Sequence, residues 1–203
     1  MSTPAEAAPS APGRWTVLES DWAFRSRFVG IRRDRCRLPD GRQSPEFYFM
    51  ELRDVCLVVA LTPGGEVLLS REYKHGAGDV IATLPAGFVE PAEEPAAAAR
   101  RELAEETGHA AAVLEPLGSQ WLFPSFAGAR AHFFLARDVR PAGAPHPDEF
   151  ETIEVRAVPL AELRADGKSP APRHLTDVCS RLGVALALAR LDGGPGGRSG
   201  ARA

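Results

Sequence analysis

The pattern of hydrophobic and polar positions predicts a chain in which strands and helices alternate. Runs rich in β-branched and aromatic residues are bounded by turn sequences such as Pro39-Asp40-Gly41 and Pro63-Gly64-Gly65, as is typical of strands joined by short turns. These runs predict strands at residues 27–36, 47–51, 55–61, 67–73, 118–122, 131–137 and 153–158.

Two longer segments have the periodicity of helices. The first is predicted at residues 95–107, because Pro95 suits the first helical turn and Gly108 is a natural stop. The second is predicted at residues 174–191, where apolar residues form a stripe with helical spacing, and a shorter helix is predicted at residues 160–165. Strands before, between and after these helices predict an α/β fold with a mixed sheet covered on both faces.

Both ends of the chain are low in bulky apolar residues. Residues 1–13 are rich in Ala, Pro and Ser, and residues 192–203 are rich in Gly, so both are predicted to be disordered. No basic start followed by an apolar stretch is visible, and no run is long and apolar enough to span a bilayer. We therefore expect a cytoplasmic protein with no membrane partner.

Composition narrows the class of partner. The 203 residues, 44% of them hydrophobic, are enough for one sizeable core. The net charge of -3 and the pI near 6.0 give no field that would gather nucleic acid or anionic lipid. The three cysteines, Cys36, Cys56 and Cys179, are far apart, which predicts free thiols in a reducing compartment. A polyanionic partner is therefore expected to be small and bridged by metal, not a nucleic acid.

A predicted helix crowded with carboxylates follows a loop glycine. Glu102 and Glu106 are one turn apart and project from the same helix face, with Glu105 beside them. In a cleft, their mutual repulsion would be relieved by a hard divalent cation that takes oxygen ligands. The alternative to a metal site is an acidic helix face exposed to solvent. Such a face would explain the charges, but it would not explain why Gly87 and Arg101 fall in register with the carboxylates.

This pattern resembles the signature of the Nudix hydrolases, a glycine followed by Glu and then by Arg-Glu-apolar-X-Glu-Glu-X-Gly. The matching positions are Gly87, Glu93, Arg101, Glu102, Leu103, Glu105, Glu106 and Gly108. One departure is His109, where the family usually has an apolar residue. The resemblance implies the Nudix-type α/β/α sandwich and the hydrolysis of a pyrophosphate bond.

The resemblance also implies a Mg²⁺ cofactor, for which Mn²⁺ could substitute, that neutralises phosphate charge and activates water. The implied metal ligands are the Ala86 carbonyl, Glu102, Glu105, Glu106 and Glu151.

Three residues are assigned to the catalytic set, namely Glu149, Glu105 and Arg101. Arg101 is expected to orient the carboxylates, with Glu93 as its partner. The implied general base is Glu149, in the loop before the last strand, although Asp148, Glu151 and Glu154 compete for this role.

Two segments resemble the ADP-ribose pyrophosphatase branch of the family. One is the segment at residues 67–75 followed by Leu84-Pro85-Ala86-Gly87, and the other contains Pro124, sixteen residues after Gly108. Two departures from that branch are Thr83 and Ala129, both at positions where it usually has Glu. A third is Arg71-Glu72-Tyr73-Lys74, where the branch usually has Arg-Gln-Tyr-Arg, so Lys74 keeps the charge but not the bidentate fork. The expected substrate-binding residues are Arg71, Lys74, Phe126 and Arg130.

Stacking on a nucleotide base has further candidates in Trp22 and Trp121, although Trp121 is expected in the core and Trp22 could simply anchor the first strand.

The expected function is hydrolysis of a nucleoside diphosphate linked to another group, foremost ADP-ribose or another nucleotide sugar. Alternatives are action on dinucleoside polyphosphates, coenzyme A or free nucleotides, and a non-catalytic module that senses nucleotides.

The resemblance divides the chain into an N-terminal strand extension at residues 14–52 and a Nudix hydrolase domain at residues 53–191. In the ADP-ribose pyrophosphatase branch such an extension often exchanges between the subunits of a homodimer, so a homodimer is expected. A hairpin that packs on its own subunit is the alternative.

Overall fold

The structure is a computed structural model that describes residues 12–27, 29–147, 149–170 and 172–193. Most of the segments predicted to be disordered, residues 1–13 and 192–203, lies outside the described residues, as does Asp148. The chain forms two compact units, with the division after Leu52, and the short segment Leu122–Ala129 belongs to the first unit.

The first unit is built on an antiparallel sheet with the strand order β1-β2-β3. These strands are β1 (Thr16–Arg25), β2 (Gly30–Arg37) and β3 (Gln43–Glu51). The segment Leu122–Ala129 joins β3 through a hydrogen bond from the Met50 N–H to the Phe126 carbonyl (2.7 Å).

The sequence pattern missed β1 because almost every position of this strand is exposed. Its register with β2 is stabilised by cross-strand ion pairs, which include Arg33 with Asp21 (2.9 Å) and Arg35 with Glu19. Such pairs take the place of the apolar alternation by which strands are usually found.

The second unit contains a seven-stranded mixed sheet. Its main path has the order β12-β5-β4-β10-β9, with β6 paired to β5 and β7 paired to β4. β4 and β10 are parallel, and the other pairs are antiparallel. A separate pair joins β8 to β11. The strands are β4 (Val55–Leu61), β5 (Glu66–Lys74), β6 (Asp79–Thr83), β7 (Ala86–Phe88), β8 (His109–Ala110), β9 (Val113–Trp121), β10 (Arg130–Arg137), β11 (Arg140–Pro141) and β12 (Glu154–Pro159).

Helices cover both faces of this sheet, so the predicted α/β fold with a mixed sheet is confirmed. Helix α1 (Pro95–Thr107) packs Ala98, Ala99 and Leu103 against one face of the sheet. Helix α3 (Val178–Leu191) lies on the other face, and the short helix α2 (Leu160–Asp166) follows β12.

Local signals explain the ends of α1. Pro95 occupies the first turn, and Gly108 ends the helix in the left-handed conformation (φ 69°), with its N–H bound to the Ala104 carbonyl at 2.8 Å. A side chain at position 108 would also collide with the backbone carbonyl of Gly143, only 2.6 Å from an added Cβ.

Helix α3 begins four residues later than the pattern predicts. In the preceding loop, the Asp166 carboxylate accepts hydrogen bonds from the N–H groups of Arg173 (2.6 Å) and His174 (3.0 Å). Asp177 then caps α3, since its Oδ1 accepts from the Ser180 N–H at 2.8 Å.

No helix within the described residues is long and apolar enough to cross a membrane. Cys36, Cys56 and Cys179 are free thiols, as predicted. Burial raises the pKa of the Cys56 thiol to about 12, which suits a packing residue rather than a nucleophile.

Candidate active site

The turn that precedes β7 is fixed by its backbone. The Pro85 carbonyl accepts from Val58 N–H of β4 at 2.9 Å, and the Ala86 N–H donates to Glu106 Oε1 of α1 at 3.3 Å. In an antiparallel pair, the N–H and C=O of one residue point to the same side of the strand. The Ala86 carbonyl therefore faces away from β4, on the side from which the Glu106 carboxylate approaches.

Gly87 provides the space in which Glu102 lies. A Cβ added at position 87 would stand 2.0 Å from Glu102 Oε1 and 2.1 Å from Glu102 Cδ. Only glycine allows the carboxylate to rest on the backbone here. Burial raises the pKa of Glu102; hydrogen bonding to Arg101 lowers it, and the charges of Glu105 and Glu151 raise it.

Glu106 is the most buried carboxylate of α1, with 4% of its surface exposed. Its Oε2 accepts from the hydroxyl of Ser70 on β5, which is fully buried. Burial raises the pKa of Glu106 to about 8, against the opposing effect of the hydrogen bonds from Ser70 and Ala86. The charges of Glu72 and Glu102 add to the rise.

Arg101 binds three carboxylates at once. Its Nε and Nη2 donate to the two oxygens of Glu93 (3.1 and 3.0 Å), and its Nη1 donates to Glu102 (2.7 Å) and Glu105 (2.9 Å). Nη2 also donates to the Phe88 carbonyl of β7 at 3.0 Å. These contacts raise the pKa of Arg101 and, with Arg101 as the main cause, lower that of Glu93. Glu93, Glu102, Glu105 and Glu106, together with Arg101, are called the carboxylate cluster below.

The carboxylate cluster has the donor chemistry that suits a hard divalent cation. Buried carboxylate oxygens and a backbone carbonyl on the same side are the ligands that Mg²⁺ takes. Among residues 12–27, 29–147, 149–170 and 172–193, however, no three His, Cys, Asp or Glu side chains converge closely enough to hold a metal as they stand. Glu102 and Glu106 accept hydrogen bonds from Arg101 and Ser70 instead. Binding a cation there would therefore require these side chains to move closer together.

The loop before β12 carries the other predicted acids. The Glu151 charge acts on Glu102, which places Glu151 within electrostatic reach of α1. Glu149 lies exposed in the turn ahead of it, and its role as base stays a prediction. Glu154, an alternative base, forms ion pairs with Arg71 of β5 (2.9 Å) and Arg156 of β12 (2.8 Å).

Two residues at this site, Ser70 and Glu72, were not identified from sequence. Both lie on the same face of β5 as Lys74, because side chains alternate along a strand. The hydrogen bond from Ser70 to Glu106 shows that this face of β5 meets α1. Glu72 is 7% exposed and pairs with Lys74. The alternation of β5, once its register is known, is the signal that would have identified Ser70 and Glu72.

The predicted substrate-binding residues lie at separate places. Lys74 shares the face of β5 that meets α1, whereas Arg71 lies on the opposite face and pairs with Glu154. In the second unit, the Arg130 guanidinium stacks over the Trp121 ring at 4.5 Å and donates to Ser119 Oγ at 2.9 Å.

The aromatic candidates are largely exposed. Phe126 belongs to the first unit, where its ring stacks on that of Phe123 with centroids 5.3 Å apart. Trp121 is 54% exposed, so its predicted place in the core is wrong: its position on β9 is not covered in the described structure. Trp22 lies on β1, where its ring packs on Gly30 of the neighbouring β2 and stacks with the Arg25 guanidinium at 4.7 Å.

Comparison with known proteins finds matches along nearly the whole chain. The NUDIX domain model matches residues 50–179, and the model of the nucleoside diphosphate sugar hydrolase N-terminal domain matches residues 15–50. An ADP-sugar pyrophosphatase of Mus musculus is 33% identical over 209 residues, covering 94% of each chain. An ADP-ribose pyrophosphatase of Bacillus subtilis is 29% identical over 147 residues, which is 72% of this chain and 79% of the relative.

The fold comparison agrees. The crystal structure of an ADP compounds hydrolase has a TM-score of 0.79 with this chain at 23% identity, and the match covers 94% of this chain and 100% of the other. This similarity confirms the predicted Nudix-type fold. With a family model over residues 50–179 and a relative similar along almost its full length, the chain belongs to the Nudix family and is a Nudix pyrophosphohydrolase.

Proposed function

We propose that the protein hydrolyses the pyrophosphate bond of ADP-ribose or another ADP-sugar, releasing AMP and a sugar phosphate. The observation that carries the proposal is the carboxylate cluster, which α1 holds against the Gly87 turn with Glu106 buried and Glu102 resting on the glycine. The relatives named for ADP-ribose and ADP-sugar, and the match to a sugar-hydrolase N-terminal domain, support this substrate class.

Nudix hydrolases generally need a divalent metal ion. We propose Mg²⁺, with Mn²⁺ as a substitute, held by the Ala86 carbonyl, Glu102, Glu105 and Glu106, with Glu151 as an additional ligand. When bound, the ion would neutralise the diphosphate and lower the pKa of a water ligand.

The protein groups have separate roles in this proposal. Arg101 holds Glu102 and Glu105 in position through its fork of hydrogen bonds. Glu149 takes the proton of the attacking water, and Lys74 contributes positive charge to the substrate phosphates. Arg71 is a weaker candidate for this contact, because it lies on the other face of β5.

The surroundings of the enzyme are also proposed. A homodimer is supported by the first unit, whose small sheet leaves Trp15, Val17, Phe24 and Tyr48 about half exposed. A cytoplasmic location is supported by the three free thiols. The net charge of -3 favours a small-molecule substrate over nucleic acid.

Phosphate release with added phosphatase tests the function on a panel of ADP-ribose, other nucleotide sugars, dinucleoside polyphosphates, coenzyme A and free nucleotides. We expect turnover of ADP-ribose or an ADP-sugar with Mg²⁺ or Mn²⁺, and none with EDTA. Turnover confined to other nucleotides would overturn the substrate assignment. Thr83 and Ala129 would then be the candidates that determine specificity. Ligand binding without turnover of any compound would favour a sensor.

The same assay tests the proposed base. Glu149→Gln should lower kcat while leaving the affinity for metal nearly unchanged, whereas Glu151→Gln should weaken metal binding. A wild-type kcat in Glu149→Gln would show that another group acts as the base.

A further inference from the structure

The turn at residues 84–87 is held from both faces of the sheet. On one side, the Leu84 N–H donates to Ser180 Oγ of α3 at 2.9 Å. On the other side, the Ala86 N–H donates to Glu106 of α1 at 3.3 Å. Between them, the Pro85 carbonyl is bound to β4. Three consecutive residues are therefore fixed by three different elements.

Ser180 accepts a hydrogen bond from the Leu84 N–H, a group that has no hydrogen-bond partner within the sheet. β6 ends at Thr83, one residue before Leu84, so the Leu84 N–H lies beyond the ladder with β5. Leu84 and Ser180 are both fully buried. Without the hydroxyl, the Leu84 N–H would lose its partner in a place that water does not reach.

The position of Ser180 is itself well determined. Asp177 caps the first turn of α3 by accepting from the Ser180 N–H at 2.8 Å. One turn along, Gly183 permits a close approach of the helix to the same turn. A Cβ at position 183 would lie 2.7 Å from Leu84 Cδ1 and 3.2 Å from Phe133 Cδ1. Helix α3 thus contacts Leu84 in two ways. Ser180 accepts a hydrogen bond from the Leu84 N–H, and the Leu84 side chain packs directly against Gly183.

We propose that Ser180 is a positioning residue for the metal site, acting through the backbone of the turn. Pro85 stands between Leu84 and Ala86, and its ring fixes one of the backbone angles that connect them. A shift at Leu84 therefore has fewer ways to be absorbed before it reaches Ala86, two residues away. The C-terminal helix, on the opposite face from α1, thereby helps to set the direction of the Ala86 carbonyl. This inference rests on the proposed metal site.

The test is Mn²⁺ binding to metal-free protein without substrate, measured by calorimetry or electron paramagnetic resonance. Ser180→Ala should weaken Mn²⁺ binding at least fivefold and speed hydrogen exchange of the backbone amides of Leu84, Ala86 and Gly87. Gly183→Ala, which pushes on Leu84 while keeping the hydroxyl, should weaken Mn²⁺ binding in the same direction. Neither variant removes a metal-binding group, so weaker binding reports the position of the turn.

Ala187→Gly is the matched control. Ala187 is fully buried on the same helix, seven residues beyond Ser180 and so about 10 Å farther along its axis. The substitution destabilises α3 through helix propensity, but it leaves the Leu84 contact intact. We expect a lower melting temperature with wild-type Mn²⁺ affinity.

Three results would count against the proposal. Unchanged Mn²⁺ affinity in Ser180→Ala would overturn it, and so would an equal loss in Ala187→Gly at a matched melting temperature. Wild-type protein that binds no Mn²⁺ would refute the metal site itself, and this role of Ser180 with it. That last failure is distinguished from the first two because it appears before any variant is made.

Discussion

The two halves of the carboxylate cluster differ in whether a protein cation compensates their charge, although three of the four carboxylates lie on α1. Around Arg101, the three carboxylates of Glu93, Glu102 and Glu105 share a guanidinium at distances of 2.7 to 3.1 Å. One turn along, Glu106 is buried and accepts from a hydroxyl and a backbone N–H. In the described part of the chain, no cation forms an ion pair with Glu106.

This difference indicates which half of the cluster has, among the described residues, no protein cation to compensate an ionised carboxylate. Arg101 favours the ionised forms in its half: it lowers the pKa of Glu93, and at Glu102 it opposes the rise in pKa that burial causes. The Glu106 half has no such compensation, and burial holds the pKa of Glu106 at about 8. A divalent cation would therefore gain most at Glu106, while Arg101 keeps the neighbouring ligands in place before the cation arrives.

The largest effect is expected from Glu106→Gln. The amide keeps the size of the side chain but removes the charge that a metal would meet, so metal-dependent kcat should fall by about 10³-fold or more. Steady-state kinetics with saturating Mg²⁺ checks this. Turnover within tenfold of wild type would place the main metal contact elsewhere in the cluster.

Glu90→Gln is the control for that substitution. Glu90 is a carboxylate close to the same loop, but its side chain pairs with Arg53 at 2.6 Å rather than with Arg101 or α1. The same loss of one charge there should leave kcat within about twofold of wild type. A large fall in both variants would indicate a general effect of charge on the fold.

A smaller effect is expected from pH. The pKa of Glu106 is raised from 4.5 to about 8 in the folded protein, so the metal-free protein keeps this proton at neutral pH. Stability from this group is fully present below pH 4.5 and is lost as the pH rises through about 8. A cation must displace the proton, so Mn²⁺ affinity should rise about tenfold per pH unit between pH 6 and 8 and then level off.

Calorimetric titrations between pH 6 and 9 measure this dependence, and Glu106→Gln should flatten it. A wild-type affinity that does not change with pH over this range would show that Glu106 is already ionised in the metal-free protein. The two halves of the cluster would then be more alike than their hydrogen bonds indicate.

The half built on Arg101 could be predicted from sequence because its contacts are local. Arg101 and Glu105 are one helical turn apart, and Glu93 and Gly87 lie in the loop that leads into the same helix. The spacing of one motif therefore determines which groups meet. The family resemblance added the expectation of a divalent metal ion and of pyrophosphate hydrolysis, which spacing alone does not give.

The Glu106 half depends on tertiary register, which the sequence pattern does not supply. Ser70 comes from 36 residues away and Ser180 contacts a residue 96 positions from it. The sequence alone does not distinguish either serine from other polar residues, because their contacts depend on which faces of β5 and α3 are buried. β1 was missed for a related reason, because its partners are charged side chains on β2 and not an apolar core.

The smallest effect is expected from Arg101→Met, and its sign should distinguish the two halves. Without the guanidinium, three carboxylates lose their hydrogen-bond donor, so the free energy of unfolding without metal should fall by about 1–3 kcal/mol. Saturating Mg²⁺ should stabilise this variant more than wild type, because the ion then neutralises Glu102 and Glu105 as well.

Arg100→Met is the matched control. Arg100 is exposed on the same helix, and its hydrogen bond in the described structure is to the Ala111 carbonyl (3.3 Å). This variant should change the free energy of unfolding by less than about 0.5 kcal/mol. Chemical denaturation with and without Mg²⁺ measures all three proteins. If Mg²⁺ stabilised Arg101→Met no more than wild type, the guanidinium and the metal would not be acting on the same carboxylates, and the division of the cluster into a self-compensated half and a metal-dependent half would be wrong.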